Sequence, residues 1–258
     1  MSDCCAEPIQ EKHEIDIQLS IRINGKLTMK NSYLLITLLW LLATPVYAHH
    51  PLAGLPMETF LQGLLAGVGH PILGFNHLFF VLGVGLAAAF TGRALVVPLF
   101  YIGGMLGGFV LIMMGIQLPL IELSVALSLV VLGTIVLAGQ ALTFNVAAIL
   151  HASLGVFHGW AFGETIVGQE SASIAVLGGY LIGLGGTQWP IAIATAYYVS
   201  TIWKATLSSA IQPRLAGAVV VGVGVTFTLE WVEVCCLLLR AWVSNQSLVL
   251  GIDKVRRC

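Results

Sequence analysis

Charge is scarce in this chain. Only 9% of its residues are Asp, Glu, Lys or Arg, and between Lys30 and Lys204 the bases reduce to Arg93 and the acids to Glu58, Glu122, Glu164 and Glu170. No basic patch exists to neutralise phosphates, and the formal net charge of -1 agrees, so nucleic acid is excluded as a partner. Cysteine is sparse as well, at five residues. Cys4-Cys5 and Cys235-Cys236 are vicinal and Cys258 stands alone, with no C-x-x-C and no spaced even set, which argues against a disulfide scaffold. Dense histidine patterns such as H-x-x-x-H or H-x-x-H-H are also missing, which argues against a membrane enzyme built on histidine-bound iron; no catalytic residue and no resident cofactor are expected.

What is there instead is apolar. Hydrophobic residues make up 58% of the chain, glycines number 29 and the mean hydropathy is +0.95, so a soluble fold would have too few polar side chains to cover its surface. The expected fold class is all-α, a polytopic membrane helix bundle with membrane lipid as its surroundings. A homo-oligomer remains open.

Residues 1–28 are polar and show no apolar period, so they read as a segment without a packed core, or one that is not translated. From Met29 the pattern changes. Met29-Lys30-Asn31 is a short basic start, Tyr33 to Ala43 is an apolar run, and Val46-Tyr47-Ala48 is a small-residue cleavage pattern, so 29–48 reads as a secretory signal peptide. The mature chain would then begin His49-His50-Pro51 on the outer side of a bacterial inner membrane. Two histidines beside a free α-amine are a nitrogen donor set for a borderline metal ion.

After that start, residues 49–241 read as a transmembrane domain and 242–258 as a basic cytoplasmic tail. Residues 57–69 form a short amphipathic helix that ends at the His70-Pro71 break. Spans are expected at Phe75–Phe90 with its preceding residues, Ala94–Gly115, Pro119–Ala138, Leu142–Trp160 and Leu215–Leu239. Ser171–Thr187 and Pro190–Thr206, divided by Gln188, Trp189 and Pro190, are either two helices or one long kinked one. Placing Arg93 and the C-terminal arginines inside the cell, with the N-terminus outside, favours seven spans over six.

Into this apolar chain are set two histidine pairs, His70 with His77 and His151 with His158, each seven residues apart. Seven residues is close to two helical turns, so both imidazoles of a pair can share a helix face. Ionisable groups inside a membrane are functional more often than structural. On the expected topology His70 and His158 lie near the outer surface, each with its partner two turns deeper. The result is a series of nitrogen ligands suited to passing a divalent cation inward, with Glu164 or Glu122 offsetting its charge.

His70-Pro71-Ile72-Leu73-Gly74-Phe75-Asn76-His77 resembles the H-P-x-x-G-x-D-H signature of the HupE/UreJ family of nickel and cobalt permeases. Phe157-His158-Gly159-Trp160-Ala161-Phe162-Gly163-Glu164 looks like that family's second signature, F-H-G-x-A-H-G-x-E. The resemblance covers roughly residues 29–235 and implies a secondary permease for Ni²⁺ or Co²⁺, supplying hydrogenase, urease or cobalamin synthesis. It also implies that His70, His77, His158 and Glu164 are functional. Two departures stand out: Asn76 replaces the aspartate and Phe162 the second histidine. An amide keeps a coordinating oxygen but loses the charge, and a phenyl ring cannot coordinate, so the site is less anionic and has one nitrogen donor fewer. The expected metal contacts are therefore His70, Asn76, His77, His151, His158, Glu164, His49 and His50. A membrane accessory protein that keeps the fold without transporting is the alternative.

Overall fold

A computed structural model describes residues 57–167 and 173–249, and all seven elements among them are α-helices. They are α1 (Phe60–Leu73), α2 (Phe75–Ala88), α3 (Val97–Met113), α4 (Ile121–Leu137), α5 (Phe144–Val167), α6 (Ile174–Thr201) and α7 (Ile211–Val249). The signal peptide expected at 29–48, the polar residues before it, and His49 and His50 lie outside the described residues.

α1 opens with a capping box: Gln62 N–H donates to the Thr59 hydroxyl at 3.3 Å, and the Gln62 side-chain carbonyl accepts from Thr59 N–H at 2.9 Å. The break expected at His70-Pro71 falls three residues later. Pro71 sits inside α1, whose last turn is closed by Gly74 N–H donating to the His70 carbonyl at 2.9 Å. At Gly74 the axis turns by 78° into α2. The backbone there has φ -81° and ψ 100°, open to any residue, so the demand for glycine is steric. A Cβ would lie 2.9 Å from His77 Cδ2 and 3.1 Å from the His70 carbonyl oxygen.

α2 is the axis of the fold. It is apolar on every side, as a helix enclosed on every side must be, and it packs against all six other helices. Those six associate in pairs, α1 with α6, α3 with α5, and α4 with α7. In each pair glycines let two backbones meet. A Cβ on Gly67 would strike the Tyr180 carbonyl oxygen at 2.1 Å, one on Gly159 the Met105 carbonyl oxygen at 1.8 Å, and one on Gly133 the Val221 nitrogen at 2.7 Å. The core follows α2, with Phe80, Val81 and Val84 packed on Tyr101, Leu129, Leu132 and Val220.

Gln188, Trp189 and Pro190 do not divide a pair of helices. α6 runs through them, realising the single-helix alternative, so the seven helices are not the seven spans expected from parity. Pro190 removes one backbone hydrogen bond, but α6 is held on both sides of it, Gly183 on the Leu64 carbonyl and Ala192 on Gly85. By length and composition α5 and α7 can cross a membrane, over Phe144–Glu164 and Ile211–Leu237, and α1 with α2 are together long and apolar enough for a broken span or a re-entrant loop. Large apolar side chains, among them Leu61, Leu65, Ile149 and Leu229, are exposed on the outer faces of the bundle. This is a membrane protein: such a surface is stable against lipid and not against water.

Candidate metal site

The bend at Gly74 decides the geometry of the first histidine pair. In a straight helix seven residues would separate His70 from His77 by about 10 Å along the axis. Here the ring centroids are 5.6 Å apart, so the two are neighbours, not successive steps of a series. The second motif reaches them from α5. His77 Nδ1 and His158 Nδ1 lie 3.0 Å apart, and Phe80 stacks on the His158 ring at 4.0 Å. His70, His77 and His158 are each at most 3% exposed.

Neutral oxygens orient these rings. The Ser128 hydroxyl donates its one hydrogen to the Val125 carbonyl at 2.6 Å, so towards His158 Nε2, 2.8 Å away, its oxygen accepts. His158 therefore carries its proton on Nε2 and turns the Nδ1 lone pair towards His77, whose Nδ1–H donates. Tyr180 acts similarly on α6. Its hydroxyl donates to the Phe162 carbonyl at 3.1 Å while its oxygen lies 3.1 Å from His70 Nδ1. Below the histidines, the Tyr101 hydroxyl donates to the Gln188 side-chain carbonyl, and Gln188 Nε2–H donates to the Leu184 carbonyl and to Met105 Sδ, each at 3.1 Å.

Phe162 stands where the second signature has a histidine, and it faces the site. Its ring centroid is 5.0 Å from that of His70 and 4.3 Å from that of His77. Asn76 does not reach in with a free oxygen, since its Oδ1 accepts from His77 N–H at 2.9 Å in the first turn of α2. Glu164 is exposed and is not brought to the histidines. The reason is spacing. The second signature sets its acid seven residues after its histidine, on the same helix face; Glu164 is six residues after His158, a position turned about 120° away. Thr165 occupies the seventh place. Glu122, exposed in the first turn of α4, interacts electrostatically with Glu164, so the two acids form a separate group. His151 is not part of the cluster: its Nδ1 is 2.6 Å from the Ala147 carbonyl oxygen, within its own helix.

Sequence reasoning missed Ser128, Tyr180, Tyr101 and Gln188. Ser128 and Gln188 are buried polar side chains among the described residues, but that burial appears only once the helices pack, and in the sequence they look like the other serines, threonines and glutamines of the apolar helices. Tyr180 and Tyr101 carried no signal either, because a tyrosine in an apolar helix also reads as an interfacial anchor.

Of the signature residues, His70, His77, His158 and Phe162 therefore converge on one buried point, and comparison with known proteins agrees with the two signatures. The sequence model described as "HupE / UreJ protein" matches residues 36–227. The chain belongs to the HupE/UreJ family. It is 35% identical to "Protein HupE" of Rhizobium leguminosarum bv. viciae over 144 residues, which is 55% of this chain and 73% of that protein. No solved structure matches it. The glycines of this family's second signature acquire a physical role here: Gly159 seats α5 on the Met105 carbonyl, and Trp160 Nε1–H donates to the Ile116 carbonyl at 3.0 Å. Together they hold His158 at a fixed height on the bundle.

Proposed function

We propose that this HupE/UreJ protein is a multi-pass permease of the bacterial inner membrane that moves a divalent transition-metal cation, Ni²⁺ or Co²⁺, with the mature N-terminus outside. The observation that carries the reading is the 3.0 Å separation of the Nδ1 atoms of His77 and His158. Two nitrogens bound to one metal at about 2.1 Å and at right angles stand about 3.0 Å apart, the edge of a square-planar or octahedral shell. A cation binding both Nδ1 atoms requires His77 to carry its proton on Nε2 instead of Nδ1, while His158, whose Nε2–H is already held by Ser128, needs no change of tautomer. Imidazole donors suit nickel and neighbouring metals, and the family resemblance narrows the ion to nickel or cobalt. Glu122 and Glu164, exposed at one end of the helices that carry them, raise the local concentration of cations before binding.

A second reading, an accessory protein that keeps the fold without transporting, is favoured by one observation. Phe162 fills the place of a donor, and no group of three or more His, Cys, Asp or Glu able to hold a metal occurs among the described residues. Uptake of labelled Ni²⁺ and Co²⁺ by cells expressing the full chain separates the two. Uptake that is lost in His77→Ala and in His158→Ala, at unchanged membrane abundance, supports the permease; wild-type protein that takes up neither ion supports the accessory role.

A further inference from the structure

We propose that His151 is a second, inner binding position for the transported divalent cation, separate from the His77 and His158 pair. The inference rests on the permease reading above. His151 is fully buried in α5, seven residues before His158 and so on the same helix face, about 10 Å along the axis. Its surroundings lie towards the other end of α2, where Ala147 packs with Ala88 and Val97.

Two observations about the ring point to a ligand. The Ala147 carbonyl can only accept, so the contact at 2.6 Å places the ring's proton on Nδ1. In the neutral ring the lone pair is then on Nε2. That nitrogen is buried and has no hydrogen-bond partner. A histidine kept for helix packing would meet a donor there, as buried polar atoms do. A histidine whose Nδ1–H is held by a carbonyl, with Nε2 presented, has the arrangement of a metal ligand with its outer support in place.

The chemistry of a lone donor fits an inner position. One imidazole leaves the rest of the cation's shell to water, so binding is weaker than at the pair and release is correspondingly easier. A pathway needs a sequence of such sites, since an ion held tightly at its first stop does not move on. No charge is fixed in the bundle by this arrangement, and Ala147 supports it without a second side chain.

The test compares His151→Leu with His151→Met in the full chain, since the two side chains are alike in volume and differ in the thioether donor. Expected is a maximal uptake rate for Ni²⁺ and Co²⁺ about tenfold lower in His151→Leu, with the half-saturating concentration within about twofold of wild type and substantial recovery in His151→Met. Equal rates in the Leu and Met variants, whether both normal or both lost, would overturn the assignment. A second measurement does not depend on those variants folding. Purified His70→Ala/His77→Ala/His158→Ala protein in detergent should bind Co²⁺ with one more imidazole nitrogen, read by X-ray absorption, than the same protein carrying His151→Ala as well, and equal nitrogen coordination in the two would also overturn the assignment. Failure of the permease reading looks different: wild-type cells would take up neither ion, and the inner position would fall with it.

Discussion

Nδ1 of His77 lies 3.0 Å from Nδ1 of His158, although the two residues are eighty-one apart in the chain and sit on helices that meet only over a short length. Three local features bring them there. The 78° turn at Gly74 points the start of α2 into the bundle, Gly159 lets α5 sink onto α3, and Ser128 on α4 holds the His158 ring by its far nitrogen. Each is small, and each is testable.

Ser128→Ala should weaken the site without touching a metal donor. Without the hydroxyl, His158 Nε2–H loses its acceptor, a buried unpaired group worth about 1–3 kcal/mol, and the ring no longer has a preferred tautomer. The half-saturating concentration for Ni²⁺ or Co²⁺ should rise about 10- to 100-fold. Ser128→Thr keeps the hydroxyl and should retain most of the affinity; if Ala and Thr behave alike, the hydroxyl does not orient His158.

Gly74→Ala tests the bend. A methyl group there would stand 2.9 Å from His77 Cδ2, so either the ring moves or the turn opens. The cost should be about 1–3 kcal/mol of stability, visible as a lower thermal unfolding midpoint in detergent. Uptake should fall together with it, because a straighter α1 and α2 separate His70 from His77. A variant as stable and as active as wild type would show that the close approach at Gly74 is not needed.

How much of this was legible in the sequence can be judged residue by residue. The all-helical membrane bundle followed from composition, since few charges and a high hydropathy leave lipid as the only suitable solvent. His70, His77 and His158 followed from spacing and from the two signatures. Their closeness did not, because a seven-residue spacing equals two turns only in a straight helix, and the bend at Gly74 shortens it. Pro190 gave the wrong emphasis for the opposite reason: the break it suggests locally is overruled by packing on both sides of it. Glu164 stands one position before the acid of the second signature, and on a helix a shift of one position turns a side chain to another face.

That shift makes a prediction of its own. If Glu164 supplied the charge inside the site, Glu164→Gln would abolish transport. Exposed, it can only attract the cation towards the bundle, a contribution of at most about 1 kcal/mol that salt screens. Glu164→Gln should therefore raise the half-saturating concentration about two- to fivefold at low ionic strength and leave the maximal rate unchanged. Loss of the maximal rate would place its carboxylate on the pathway.

Two of the three departures from the family signatures, Asn76 and Phe162, give the strongest test, since reversing them should improve what they weakened. Phe162 is fully buried with its ring on both His70 and His77, so Phe162→His places a third nitrogen donor beside theirs. The change exchanges apolar for polar volume in a packed core, at a cost of about 1–3 kcal/mol unless the new ring finds a partner. Asn76→Asp adds charge at little cost, because the carboxylate still accepts from His77 N–H and lies in the first turn of α2, where the helix dipole favours an anion. In the double variant the affinity for Ni²⁺ or Co²⁺ should rise by about tenfold or more, equivalent to about 1.4 kcal/mol. The maximal rate should fall, because a conducting site that binds more tightly releases more slowly. Concentration dependence of labelled-ion uptake, beside equilibrium binding to purified protein, reads both quantities. No gain in affinity for either ion would mean that positions 76 and 162 do not face the cation, and that the cluster they border holds the helices together instead.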